Sequence, residues 1–327
     1  MRFYTGSYTR MGGPGVGVCR WENGQLSMVN AYHDLNDTTF VILSHDQRTL
    51  YAVGSLPETG ESAAASYRVA GDSLELLSCR AAAGKAACHQ AESADGHFLY
   101  VANYLTGSVS VFPVDDGVLG ERIQLVEHTG CGPNTARQEC AHTHQCTFRP
   151  GTNELFVCDL GIDKVMVYDQ NTETGLLSLK EEIAMPGGMG PRHLVFADAD
   201  HFYVTGELDN VVRYVVNDKG WKIIGEMSTL PAEWKGENTS AAIRLHEGAL
   251  WVSNRGHDSL CKIKLGKNGE MLSNSWTFTG GKIPRDFMFV PDGILFAHQG
   301  GGGVIASTGA SIPMDGAVCI CPDWTTV

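Results

Sequence analysis

One pattern recurs seven times along the chain and restricts what it can fold into. Each unit reads polar residue, apolar run, tight turn, a large residue between apolar neighbours, then polar again. The second-strand anchors are Phe3-Tyr4-Thr5, Leu50-Tyr51-Ala52, Leu99-Tyr100-Val101, Leu155-Phe156-Val157, Phe202-Tyr203-Val204, Leu250-Trp251-Val252 and Leu295-Phe296-Ala297. Their central residues are 47, 49, 56, 47, 48 and 45 positions apart. Repeats in the forties that hold several short strands predict an all-β chain, a seven-bladed β-propeller with one blade per anchor.

Further strands follow the anchors, as in Ser108–Phe112, Lys164–Tyr168, Asn210–Tyr214 and Leu260–Lys264. Their alternation of apolar and polar side chains suits a strand with one face packed on the next blade. The first anchor lies only three residues from Met1, so its blade lacks an inner strand. The tail Gly316–Cys321 resembles the start of an inner strand, as in Ala87–Gln90, and is expected to join the N-terminal blade and close the ring. Closure removes exposed sheet edges. Residues 1–327 are therefore read as a single domain, and 39 glycines suit a chain made largely of turns.

Within the repeat, Gly190–Asn210 is the most informative stretch. Two apolar runs joined by an Asp-rich turn form an antiparallel hairpin. The start of its first strand then lies beside the end of its second, bringing Arg192 and His193 to the same sheet edge as Glu207. Applied to every blade, the same logic sorts the polar residues. Inner strands begin at His89, His142 and His144, Arg192 and His193, and Arg285. Second strands end at Asn103, Asp159, Glu207 and Asn254-Arg255. Both sets are expected at one mouth of the central channel, where ligand sites form by default. The segment Glu127–Gln138 accounts for the 56-residue spacing and is expected to overhang that mouth.

A formal charge of −13 argues against nucleic acid as a partner. It leaves room for a small anion, because a few convergent arginines set the local field. No apolar run reaches the length of a membrane helix, and no secretion signal precedes the first strand, so a cytoplasmic protein that binds no membrane is expected. The ten cysteines then read as free thiols. Cys140, His142, His144 and Cys146 alternate along one strand, which raises zinc. Alternate strand side chains stand about 6.5–7 Å apart and the spacing matches no known ligand pair, so no metal is expected here. Gly300–Gly303 lacks the Lys-Ser/Thr of a phosphate loop and reads as a tight hairpin.

The stretches GPRHLVF, GELDN, SNRGHDSL, IPRDF and HTHQCTFRPG resemble the seven-bladed lactonase family, which includes propeller-type 6-phosphogluconolactonases and the fungal carboxy-muconate lactonizing enzyme. The likeness runs from the YTGSYT opening to the closing strand. It implies that His144, Arg192, Glu207 and Arg255 occupy the family's active-site positions, with Arg285 as a further rim arginine. One departure is the last blade, where the segment from His298 to Ile305 is short.

Hydrolysing a lactone requires an activated water and a stabilised oxyanion. Glu207 or neutral His144 could serve as general base, and Arg192 and Arg255 as fork-like donors to an oxyanion, phosphate or carboxylate. No G-x-S-x-G elbow is present, which favours direct attack by water without a cofactor. Arg285, His193, His142, Asn103, Asp159 and His89 are the expected substrate contacts. Arg192–Glu207 also admits the lesser reading of a structural ion pair linking neighbouring blades. Three readings follow: a hydrolase of a small anionic sugar lactone such as 6-phosphogluconolactone, a muconate-type enzyme that recognises a carboxylate, or a non-catalytic propeller. A monomer or weak homodimer is expected in each case.

Overall fold

The computed structural model describes residues 1–291 and 293–326. Seven antiparallel sheets form the ring. Blade 2 comprises Asn36–Leu43, Thr49–Ser55, Ser62–Ala70 and Ser73–Ala81, and blades 4, 5 and 6 repeat this order from Thr143, Pro191 and Thr239. In blade 3, Val118–Leu119 and Gln124–Glu127 both pair with the third strand, Ser108–Asp115. Blade 7 ends in two short strands, Gly303–Ala306 and Ser311–Ile312. The reason is the glycine turn before them: Gly301, Gly302 and Gly303 all have positive φ and reverse the chain tightly.

Blade 1 takes its inner strand from the tail, as the sequence implied. Ala317–Asp323 pairs antiparallel with Arg2–Ser7, placing Arg2 opposite Asp323 and Tyr4 opposite Cys321. An Arg2–Asp323 ion pair of 2.5 Å fixes the end of this seam. First strands touch one another in sequence around the channel, from Asn36–Leu43 through each blade to Ala317–Asp323 and back.

The core is divided in the same way. Seven clusters of buried apolar side chains lie at the seven blade junctions, for example Tyr4, Val18, Leu50 and Tyr67 between blades 1 and 2, or Tyr203, Val212, Leu250 and Ile263 between blades 5 and 6. Each sheet thus packs apolar side chains from both faces, with a few buried polar residues such as Ser66, Gln90 and Ser110 within the blades. The anchors Tyr4, Tyr51, Tyr100 and Tyr203 and their apolar flanks are almost wholly buried, which is why the repeat was visible in the sequence. All ten cysteines are free. Among the described residues, no helix is long and apolar enough to cross a membrane.

Candidate active site

The first strands are not regular where they enter the ring. The Cα register skips Cys88 in blade 3, His144 in blade 4, Arg192 in blade 5 and Arg285 in blade 7. In blade 2 it skips residues 37–39, in blade 6 Ala241 and Ala242, and in blade 1 Val318. A bulged residue has no ladder partner and its side chain is re-aimed. Each blade thus has a bulge at the level where its first strand enters the ring. Thr39, Cys88, His144 and Arg285 from this set line a cavity of about 300 Å³, together with Tyr8, Ala86, Tyr104, Arg137, Glu207 and Arg255.

Second strands supply the other half by parity. Tyr8, Tyr104, Glu207 and Arg255 each lie four residues past their anchor, and all four line the cavity. Ser7, Asn103, Asp159 and Asn254 lie three past it and are fully buried. Side chains alternate along a strand, so one step in register exchanges the mouth for the blade interior. This corrects the expectation for Asn103 and Asp159. Asn103 Nδ2 donates to Ser110 Oγ at 3.0 Å. Asp159 accepts from His128 Nδ1 at 2.7 Å and from the His142 amide at 2.7 Å, which makes it a support for the neighbouring strand.

Glu207, 4% exposed, is the centre of the charge arrangement. Its Oε2 forms an ion pair with Arg255 Nη2 at 2.6 Å. Arg192 Nε is 3.0 Å from the same oxygen, an ion pair without a hydrogen bond. Arg137 pairs with Oε1. Burial alone would raise the Glu207 pKa, but Arg255 and Arg192, with His144 and Arg137, hold it well below the usual carboxylate range. Arg192 itself lies behind Glu207 at 2% exposure. Burial and the charges of Arg255 and Arg285 lower its pKa to about 9, so it remains a cation at neutral pH.

His144 lies against this group with its Nδ1 unpartnered. Burial and then Arg192 keep its pKa well below that of free histidine, so the imidazole is neutral. His193 and His89 continue the line, with ring centroids 5.1 Å from His144 to His193 and 5.3 Å from His193 to His89. These two do not line the cavity. Burial and Arg192 push His89 down to about 3, and His89 stacks on Phe40 at 4.1 Å. His142 turns away from the mouth and stacks on Tyr104 at 4.5 Å. Cys146 enters the apolar junction of blades 3 and 4, so the four alternating Cys and His residues do not converge.

The insertion overhangs the mouth and contributes Arg137, which sequence reasoning did not single out. It is tied down through Gln138, whose Nε2 donates to Leu160 O and to Asp163 Oδ1, both at 2.8 Å. Asp163 also accepts from the Gly188 and Gly190 amides, at 2.7 and 2.8 Å, and so links the insertion to the turn before Arg192. Gly190 has φ +61°, and a Cβ there would lie 2.7 Å from Leu208 Cγ. Cys88 also lines the cavity, but burial pushes its thiol up to about 12, so it is no thiolate nucleophile at neutral pH. A second cleft, near 250 Å³ and lined by His45, Tyr51, Glu92 and His97, opens on the opposite face of the disc and shares no residue with this one.

Comparisons with known proteins agree with this architecture. Residues 2–304 match the family model "Lactonase, 7-bladed beta-propeller". The 6-phosphogluconolactonase of Bacillus subtilis is 32% identical over 309 residues, which cover 90% of this chain and 87% of that protein. A protein of solved structure from Lactobacillus plantarum is 28% identical, with a TM-score of 0.89 over 98% of both chains. The periplasmic gluconolactonase PpgL of Pseudomonas aeruginosa is 26% identical, with a TM-score of 0.87 over 98% of both chains. By family match, sequence and fold, the chain belongs to the seven-bladed β-propeller lactonases.

Proposed function

We propose that the protein hydrolyses an anionic sugar lactone of the 6-phosphogluconolactone kind, in the cytoplasm and without a cofactor. The observation that carries this reading is the charge of the mouth. Arg137, Arg192 and Arg255 pair with Glu207, the one carboxylate among the described cavity-lining residues, and Arg285 lines the same cavity. Four cations against one anion leave a site short of negative charge, which a phosphorylated or carboxylated substrate supplies. Guanidinium forks match such groups bidentately.

In the reaction, His144 takes a proton from water as the oxygen bonds to the lactone carbonyl carbon. Arg255 donates to the oxyanion of the tetrahedral intermediate. The ring C–O bond then breaks, the proton on His144 passes to the leaving oxygen, and the open-chain acid is released. Glu207 is poorly suited to the base role because its oxygens are already engaged by Arg137, Arg192 and Arg255, whereas His144 Nδ1 has no partner. The part of Glu207 is to orient Arg192, Arg255 and Arg137. Arg137, the more exposed of these arginines, binds the remote anion together with Arg285.

The test is turnover of freshly generated 6-phosphogluconolactone beside unphosphorylated gluconolactone and a muconate-type lactone. Catalysis of the phosphorylated substrate, lost in His144→Ala and Arg255→Ala variants that keep the fold, is the expected result. Preference for the carboxylated lactone transfers the reading to the muconate type. No turnover of any lactone by folded protein overturns it in favour of a binding propeller.

A further inference from the structure

Two residues beyond Arg137, the chain places three different donor side chains together. Glu139, Cys140 and His142 each offer one ligand atom, and these atoms lie within 4.8 Å of one another. His142 Nε2 is 3.3 Å from Glu139 Oε1 and 3.9 Å from Cys140 Sγ. The imidazole is only 2% exposed and its ring stacks on Tyr104. Its Nδ1 lies 2.9 Å from the Tyr104 carbonyl oxygen, which can only accept, so Nδ1 carries a proton and Nε2 is the nitrogen turned towards the carboxylate and the thiol. A histidine oriented by a backbone carbonyl through one nitrogen, with the other facing further donors, has the support that ligating histidines require.

The separations fit a small tetrahedral ion. Nitrogen and oxygen ligands about 2.0–2.1 Å from zinc stand about 3.3–3.4 Å apart, and a nitrogen–sulfur pair about 3.5–3.6 Å. The observed N···O distance already matches, while the exposed Cys140 thiol has to approach His142 by a few tenths of an ångström and, with all three ligand atoms within 4.8 Å of one another, Glu139 by up to about 1.2 Å. The backbone beneath is fixed, because the His142 amide donates to buried Asp159. We propose that Glu139, Cys140 and His142 form a binding site for a divalent cation of the zinc class, with water in the fourth position. A sulfur, nitrogen and oxygen donor set favours zinc over magnesium or calcium. Coordination replaces the Cys140 thiol proton with the metal, releases that proton to solvent and changes no oxidation state. The ion fastens the end of the insertion, and therefore Arg137, to the first strand of blade 4.

Chelator-treated full-length protein titrated with cobalt(II), then zinc, tests this. The expected result is saturation at one equivalent, with thiolate-to-cobalt charge-transfer absorption and the intense visible bands of four-coordination, both erased by zinc. Cys140→Ser abolishes the charge-transfer band, Glu139→Gln weakens binding by about tenfold or more, and Cys131→Ser, which removes the other exposed cysteine, leaves the titration unchanged. Absence of the band, its survival in Cys140→Ser or its loss in Cys131→Ser overturns the proposal and leaves a Glu139–His142 ion pair with Cys140 as a bystander. Because the readout is a metal spectrum, failure here is separable from failure of the lactone reading.

Discussion

Glu207 concentrates the risk built into this site. It is buried with Arg192, and removing one partner of a buried pair leaves an uncompensated charge. Glu207→Gln is therefore expected to cost about 3–5 kcal/mol in urea unfolding, as well as most of the activity. The pH dependence has a definite sign. The Glu207 pKa is depressed in the folded state, so its contribution is complete above the unfolded value of about 4.3 and is lost as the pH falls from there through the folded value. Urea melts across this acid window should show a shallower loss of stability in Glu207→Gln than in the wild type. Arg137 is different, because it is partly exposed and anchored at its base by Gln138. Arg137→Ala is expected to raise KM for a phosphorylated lactone by about tenfold, equivalent to about 1.4 kcal/mol, with kcat changed less. An unaltered KM would remove Arg137 from substrate binding.

At the scale of strands and turns, legibility in the sequence was uneven, and for physical reasons. The hairpin from Gly190 to Asn210 was readable because a two-strand reversal fixes which ends meet, and Arg192 does lie beside Glu207. Asp159 and Asn103 were misplaced because polar residues at a strand end look alike one position apart, whereas the fold distinguishes them absolutely. Counting four residues from each anchor would have found Tyr8 and Tyr104. The bulges at Cys88, His144, Arg192 and Arg285 leave no compositional trace, since they depend on the partner strand. Arg137 reaches Glu207 from a loop 70 residues away in sequence, a closeness that only the ring creates. The turn before Arg192 permits a direct check. Gly190→Ala forces a Cβ into the left-handed region and against Leu208, and is expected to destabilise by more than about 1 kcal/mol in urea unfolding.

At the scale of the ring, seven anchors were enough to fix the number of blades, and the tail strand was legible because blade 1 otherwise lacked an inner strand. Truncation before Ala317 exposes the edge of Arg2–Ser7 and uncovers the junctions of blade 1 with blades 7 and 2. Such a variant is expected to lose cooperative thermal unfolding and to aggregate in size-exclusion chromatography. A sharp, wild-type melt would show that the seam is dispensable.

The level of bulges around the channel also bears on how such a molecule could change its diet. Because those residues take no part in the ladders, their side chains can be exchanged without disturbing the pairing that holds each sheet. One of these sockets, at the cavity-lining Thr39, now holds a small, unreactive group. New chemistry introduced there would meet the same arginines on an unchanged frame, so diversification of the substrate need not compete with folding.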